Sequence, residues 1–233
     1  MIQIRPASER GHIDHGWLNT WHTFSFADYF DPEHHGFRSL RVMNEDFIQP
    51  GEGFGTHGHR DMEILTYVLS GKLEHRDSLG NGGILQHHLV QHMRAGTGIR
   101  HSEANASDTD ELHLYQIWIL PAKGGLVPNY VDKTFDPAEA QGKLQLLASP
   151  GGRNGSLDIA QDAFWYRTFL QPGQSVSLSL TDEHHAWVQV VNGTVTLNSS
   201  STLSTGDGAA MSGEKELVLK AEKESEVLVF ELG

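Results

Sequence analysis

The stretch Thr56–Glu63, THGHRDME, sets His57 and His59 one residue apart behind the glycine-rich run GEGFG, with Glu63 four positions past the second histidine. In a chain with 15 histidines, chance supplies about one such pair, so the motif needs support from elsewhere. It finds support in AGTGIRHSEAN, Ala95–Asn105, where His101 and Glu103 repeat the same spacing. On a β-strand, residues two apart point to one face, so each pair aims both side chains into one interior. With the two strands side by side, three imidazoles and one carboxylate converge. Such a set binds a divalent first-row metal and leaves one or two positions open to water, substrate or O₂.

The composition narrows what surrounds this site. There is no cysteine, which removes disulfides, thiolate metal sites and cysteine nucleophiles together and leaves His, Asp and Glu as ligands. A formal charge of −13 with only 17 Lys and Arg argues against nucleic acid as a direct partner, because phosphate binding rests on clustered cations. The basic stretches are short, as in GIRH and KAEK. No apolar run approaches the roughly 18 residues of a membrane helix, and MIQIRPASERGH has no apolar signal core, so a cytoplasmic location is expected.

The elements that must position the site read as strands. Short alternating runs dominate, among them EILTYVLSGKLEH, LHLYQIWIL, SVSLSL, AWVQVVNGTVTLN and ELVLKAEKESEVLVFEL. They are bounded by Gly, Asn, Asp and Pro, as in an all-β protein. Two hairpins are expected, Val68–Leu73 around Gly71 and Val190–Val195 around Asn192-Gly193. Helix is expected only in short pieces, with Phe135–Gln141 as one turn.

An internal repeat organises these strands. QPGEGFGTHGHRDMEILTYVLSGKLEH, from Gln49, aligns without gaps on QPGQSVSLSLTDEHHAWVQVVNGTVTL, from Gln171. Gln49-Pro50-Gly51 falls on Gln171-Pro172-Gly173, Val68 on Val190 and Gly71 on Gly193. Two copies this far apart indicate duplicated β-barrels, with a loop-like join across Pro121–Gln141. The mismatches carry the functional information: His57 and His59 fall on Ser179 and Thr181, and no histidine follows His185. The second copy has the scaffold without the donors.

At this point the residues match a family. Gly51-x5-His57-x-His59-x3-Glu63-x7-Gly71 resembles the first cupin motif, and Gly98-x2-His101-x3-Asn105 resembles the core of the second. More narrowly, HGWLNTWHTFSFADYFDP, GFGTHGHRDMEILTYVLSG and AGTGIRHSE resemble the pirin family, over essentially the whole chain and closest to the bacterial members described as quercetin dioxygenases. Gly96 stands where many cupins have proline. The resemblance implies a bicupin of two small double-stranded β-helix (jelly-roll) barrels. Residues 1–135 would form the metal-binding domain and 136–233 a degenerate C-terminal cupin without ligands.

The resemblance also implies a ligand set of His57, His59, His101 and Glu103. In other cupins the carboxylate ligand is the motif-one glutamate, here Glu63. The pirin pattern gives that role to Glu103 and leaves Glu63 behind the ligands, where it could orient an imidazole or act as an acid or base itself. The implied cofactor is one divalent transition metal, Fe(II) first, with Cu, Co, Ni, Mn or Zn admitted by the same donors. The implied reaction opens the heterocycle of a flavonol such as quercetin with O₂ and releases carbon monoxide, with Glu103 as general base toward the 3-hydroxyl. Phe54, Met62, Ile64 and Trp118 are candidate walls for a flat polyphenol. Two alternatives stand beside this: a metal-binding regulatory protein acting through a protein partner, and a cupin enzyme for another small aromatic substrate.

Other histidines and aromatics invite less. LQHHLVQHM, with His87, His88 and His92, is expected to be a strand with solvent-facing polar residues and no second metal site. His184 and His185 are expected in a solvated hairpin, and WLNTWHTFSF is expected to be buried packing.

Overall fold

The computed structural model describes residues 1–233 and is built almost wholly of strands. The first twelve are β1 (Ile2–Arg5), β2 (Gly11–Asp14), β3 (Leu18–His22), β4 (Leu40–Ile48), β5 (Gly53–His59), β6 (Glu63–Ser70), β7 (Leu73–Asp77), β8 (Gly82–Leu85), β9 (Leu89–Arg94), β10 (Ile99–Asn105), β11 (Leu112–Ile119) and β12 (Asn129–Thr134). The second half supplies β13 (Gln145–Ser149), β14 (Leu157–Asp158), β15 (Ala163–Leu170), β16 (Ser175–Ser179), β17 (His185–Asn192), β18 (Thr194–Leu197), β19 (Ser201–Ser204), β20 (Gly208–Met211), β21 (Glu216–Ala221) and β22 (Ser225–Leu232). The turn expected at Phe135–Gln141 is a 3₁₀ helix over Pro137–Ala140, its N-terminus capped by Asp136. No helix is long and apolar enough to cross a membrane.

Each half is a sandwich of one seven-stranded and one four-stranded sheet. The N-terminal pair has orders β12-β9-β6-β11-β4-β3-β2 and β5-β10-β7-β8. The C-terminal pair has orders β1-β20-β17-β22-β15-β13-β14 and β16-β21-β18-β19. The repeat is therefore structural: β5 and β6 occupy the places that β16 and β17 occupy in the second barrel. One strand departs from the expected division at residue 135. β1 pairs antiparallel with β20, Ile2 opposite Met211, so the chain begins in the C-terminal barrel before building the N-terminal one. Local patterning cannot foresee this, because β1 finds its partner about two hundred residues away.

Both expected hairpins are corners instead. β6 pairs with β9 and β11, whereas β7 pairs with β8 and β10 in the other sheet. β17 and β18 are separated in the same way. Gly71 and Gly193 lie at these corners with φ of +82° and +92°, and a Cβ on Gly193 would come 2.2 Å from the Glu224 carbonyl oxygen. Only glycine fits that sharp passage from one sheet to its neighbour.

The two large sheets pack back to back. A cluster of 21 buried residues, with Leu65, Tyr67, Tyr115 and Ile117 from one side and Trp165, Trp187, Leu228 and Phe230 from the other, joins the barrels. Strands such as β6 are consequently buried on both faces, with Leu65 and Tyr67 toward the partner barrel and Ile64 and Val68 toward their own interior. The interiors differ. The C-terminal barrel is filled by one cluster of 16 buried aliphatic residues, including Val176, Val188, Leu197 and Leu219. In the N-terminal barrel the apolar interior divides into clusters of seven and four, and a cavity opens among polar side chains.

Candidate metal centre

β5 and β10 run antiparallel with His57 directly opposite His101 and His59 opposite Ile99. The register then shifts, so that Glu103 faces Phe54. Three residues of β5 thus span two of β10, a bulge that reverses the inward phase of β5. Phe54 and His57, an odd number of residues apart, both line the cavity for this reason. Close approach of the strands requires Gly53, where a Cβ would come 2.3 Å from the Glu103 carbonyl oxygen.

The three histidines expected at the site meet there. His101 Nε2 lies 2.9 Å from His59 Nε2 and 3.0 Å from His57 Nε2. His57 Nδ1 lies 2.8 Å from the Gly55 carbonyl oxygen. A carbonyl only accepts, so Nδ1 carries the proton and Nε2 presents its lone pair. A second chain fixes His101. Buried Asp77 lies 3.4 Å from His75 Nε2, and His75 Nδ1 lies 3.5 Å from His101 Nδ1. With the His75 proton directed to the carboxylate, His75 Nδ1 accepts from His101 Nδ1–H, and His101 Nε2 is left free toward the trio.

Imidazole lone pairs turned toward one another cannot hydrogen-bond, but they fit a cation. Metal–imidazole bonds of about 2.1 Å at right angles put donors about 3.0 Å apart, whereas a tetrahedral angle would need about 3.4 Å. The separations of His101 Nε2 from its two neighbours, 2.9 and 3.0 Å, are those that donors at about right angles around one ion would have. Burial, reinforced by neighbouring imidazoles, holds His59 down to about 4 and His101 to about 3. Both are neutral and able to ligate at ordinary pH.

Glu103 is buried on the wall of the same cavity. Its carboxylate oxygen falls within 4.8 Å of donor atoms of His101 and His75, while the histidine trio forms a separate group of its own. Gln116 Nε2 donates to one oxygen at 3.0 Å and Gln91 Nε2 reaches the other at 3.5 Å. Burial pushes this carboxyl up to about 7 despite those bonds. The cavity has a volume of about 310 Å³. Of the expected walls, Phe54, Ile64 and Trp118 line it. Met62 lines the adjoining cleft, which shares Phe26 and Trp118 with the cavity.

Several expectations are corrected here. Glu63 touches no ligand imidazole: buried on β6, it pairs with His92 and, at 2.8 Å, with Arg94 Nε. Burial opposes its ionisation, but those two partners outweigh it and lower its pKa. His92 is therefore buried rather than solvent-facing. His87 and His88 precede β9 and stack on each other at 3.8 Å. His184 is not free in solvent either, lying 2.7 Å from Glu231 and 3.2 Å from Asp162. The aromatic N-terminal stretch divides its roles: Phe24 packs on Trp187 between the barrels, while Phe26 lines the cavity.

Sequence reasoning missed His75, Gln91, Gln116, Asn44 and Asp46. Their signal was a polar residue at an inward strand phase, as for His75 between Leu73 and Asp77. In the other barrel the register of β16 and β21 places Ser179 opposite Glu216, where His57 faces His101 in the first.

Comparison with known proteins agrees with this picture. The Pirin family matches residues 3–119, and the family described as Quercetinase C-terminal cupin domain matches residues 146–232. Over 232 residues the chain is 51% identical to a protein of Escherichia coli (strain K12) named quercetin 2,3-dioxygenase, covering 100% of this chain and 99% of that one. The crystal structure of YhhW from Escherichia coli superposes with a TM-score of 0.97 at 50% identity, covering 100% of this chain and 98% of that one. A structure of bacterial pirin YhhW in complex with nickel(II) superposes at 0.95, again at 50% identity, with 100% and 99% covered. A duplicated barrel with histidine donors in one copy and aliphatic filling in the other, matched along its whole length, makes this chain a member of the pirin family with a bicupin fold.

Proposed function

We propose that the protein is a metal-dependent dioxygenase that opens the heterocyclic ring of a flavonol such as quercetin with O₂ and releases carbon monoxide. The observation that carries the reading is the set of His57 and His59 Nε2 atoms, each about 3 Å from His101 Nε2, beside the buried Glu103 at the edge of a cavity walled in part by Phe54, Ile64 and Trp118. The names of similar proteins support it. His57, His59 and His101 would hold the metal, with Glu103 as the fourth ligand. Iron(II) is the metal of this proposal, and the nickel complex of a similar protein supports a site for late first-row divalent ions.

When bound, the metal supplies Lewis acidity toward a substrate oxygen. The chain's own residues do the rest. Glu103, poised near neutrality by burial, accepts the proton of the flavonol 3-hydroxyl as general base. Gln116 and Gln91 hold its carboxylate in place. Phe54, Ile64 and Trp118 flank flat rings and exclude water. The test is aerobic incubation of quercetin with protein loaded in turn with Fe, Co, Ni, Cu and Mn. Loss of the visible flavonol absorbance with carbon monoxide release is expected. Silence of every metal-loaded form, with metal content verified, would refute the reading.

A further inference from the structure

The inward polar residues of the N-terminal barrel are nearly all spoken for. Gln116 holds Glu103, Gln91 reaches Glu103 and Thr66, and His75 is set between Asp77 and His101. Gln91 Oε1 and Trp118 Nε1 are also buried without partners, but Asn44 is the amide that makes no side-chain hydrogen bond at all. It is 3% exposed, it lines the cavity, and its Oδ1 is buried without a hydrogen-bond partner. Two residues along the same face of β4 stands Asp46, also buried and cavity-lining. Thr20 occupies Asp46 Oδ1, and no protein group bonds Oδ2. Register places Asn44 opposite Gln116, so this polar row begins beside the amide that holds Glu103 and runs away from it along β4.

A buried carboxamide and carboxylate without full partners carry a penalty that only a ligand or water relieves. A carboxylate is acceptor-only, and a carboxamide both donates and accepts. The ligand that satisfies them must bring hydrogen-bond donors, and a hydroxyl, which both donates and accepts, can serve the carboxylate and the carboxamide alike. A bare aromatic ring would displace water from these groups and return nothing, so the wall discriminates against it. We propose that Asn44 and Asp46 form a recognition wall for phenolic hydroxyls, selecting polyhydroxylated aromatic substrates over ring systems that carry only the metal-directed oxygens. This deepens, and rests on, the reading of the cavity as a site for flat flavonol-like molecules.

The test compares quercetin with 3-hydroxyflavone, which presents the same 3-hydroxyl and 4-carbonyl but no ring hydroxyls. Affinities are measured anaerobically by tryptophan quenching on nickel-loaded wild type, Asn44→Leu and Asp46→Asn, so turnover is not required. Asp46→Asn keeps an acceptor for Thr20, and Asn44 has no side-chain bond to lose, so folding is checked by metal content and melting temperature. The wild type should bind quercetin about tenfold more tightly than 3-hydroxyflavone, and each variant should lose most of that preference by weakening quercetin. Equal affinity of the wild type for both compounds, equal weakening of both in the variants, or no binding of either compound would overturn the proposal. Preferential binding of quercetin without its consumption would uphold the wall and refute the dioxygenase reading instead.

Discussion

His101 on β10 stands directly opposite His57 on β5, and their Nε2 atoms are 3.0 Å apart although 44 residues separate them in the chain. One antiparallel register thus creates the donor set. The bulge beyond it carries Phe54 and Glu103 to the same cavity.

Replacing Glu103 by Gln keeps an acceptor for Gln116 but removes the base. Turnover of quercetin should fall by about 10²–10⁴-fold while bound metal, measured by elemental analysis, stays above half of the wild-type level. An unchanged kcat would remove Glu103 from the chemistry.

His75 acts through His101. In His75→Phe the ring still stacks on Tyr130, which lies 4.6 Å from His75, but no acceptor remains for His101 Nδ1–H. Metal affinity should fall about 10–100-fold, read by competition with a chelating dye. Substitution of Asp77 by Asn should act in the same direction, because it withdraws the carboxylate that sets the His75 tautomer.

The Arg167 side chain is fully buried between the barrels, where it donates to Gln145 Oε1 at 2.8 Å, the Phe135 carbonyl at 2.9 Å and the Tyr67 hydroxyl at 3.4 Å. Arg167→Ala strands these acceptors and removes the guanidinium charge that favours ionised Glu226, itself bonded by Tyr67. Chemical denaturation should show a loss of about 3–5 kcal/mol. A loss below about 1 kcal/mol would show that the network adds little to the joint.

Burial works against a charged His184, but hydrogen bonds and charge from Asp162 and Glu231 prevail and raise its pKa. A raised folded pKa stabilises the fold most below the unfolded value of about 6.5, and the contribution is lost as pH rises through the folded value. Between roughly pH 6 and 9, the wild-type melting temperature should therefore fall more steeply than that of His184→Asn. Parallel curves for the two proteins would contradict this assignment.

The donor trio was legible because strand spacing is local: His57-x-His59 and His101-x-Glu103 announce inward faces whatever the fold. The repeat was legible because β5–β6 and β16–β17 keep one register in sequence. What was hidden depended on partners far along the chain. Gly71 and Gly193 read as hairpin glycines, since a turn between two alternating runs looks the same whether the second run pairs with the first or crosses to another sheet. β1 looked like part of the barrel that follows it. Asn44, Asp46 and Gln116 lie on strands buried on both faces, where alternation no longer marks inside from outside. Glu63 carried a motif position that suggested the metal, yet its phase on β6 sets it against His92 and Arg94.

The most direct measurement is the metal content of untagged protein, purified without chelator, for the wild type beside His57→Ala, His59→Ala and His101→Ala. The account predicts close to one divalent transition-metal ion per chain in the wild type and less than about a tenth of that in each variant, all four still folded. Equal metal in wild type and variants, or a folded wild type that takes up none on reconstitution, would contradict it.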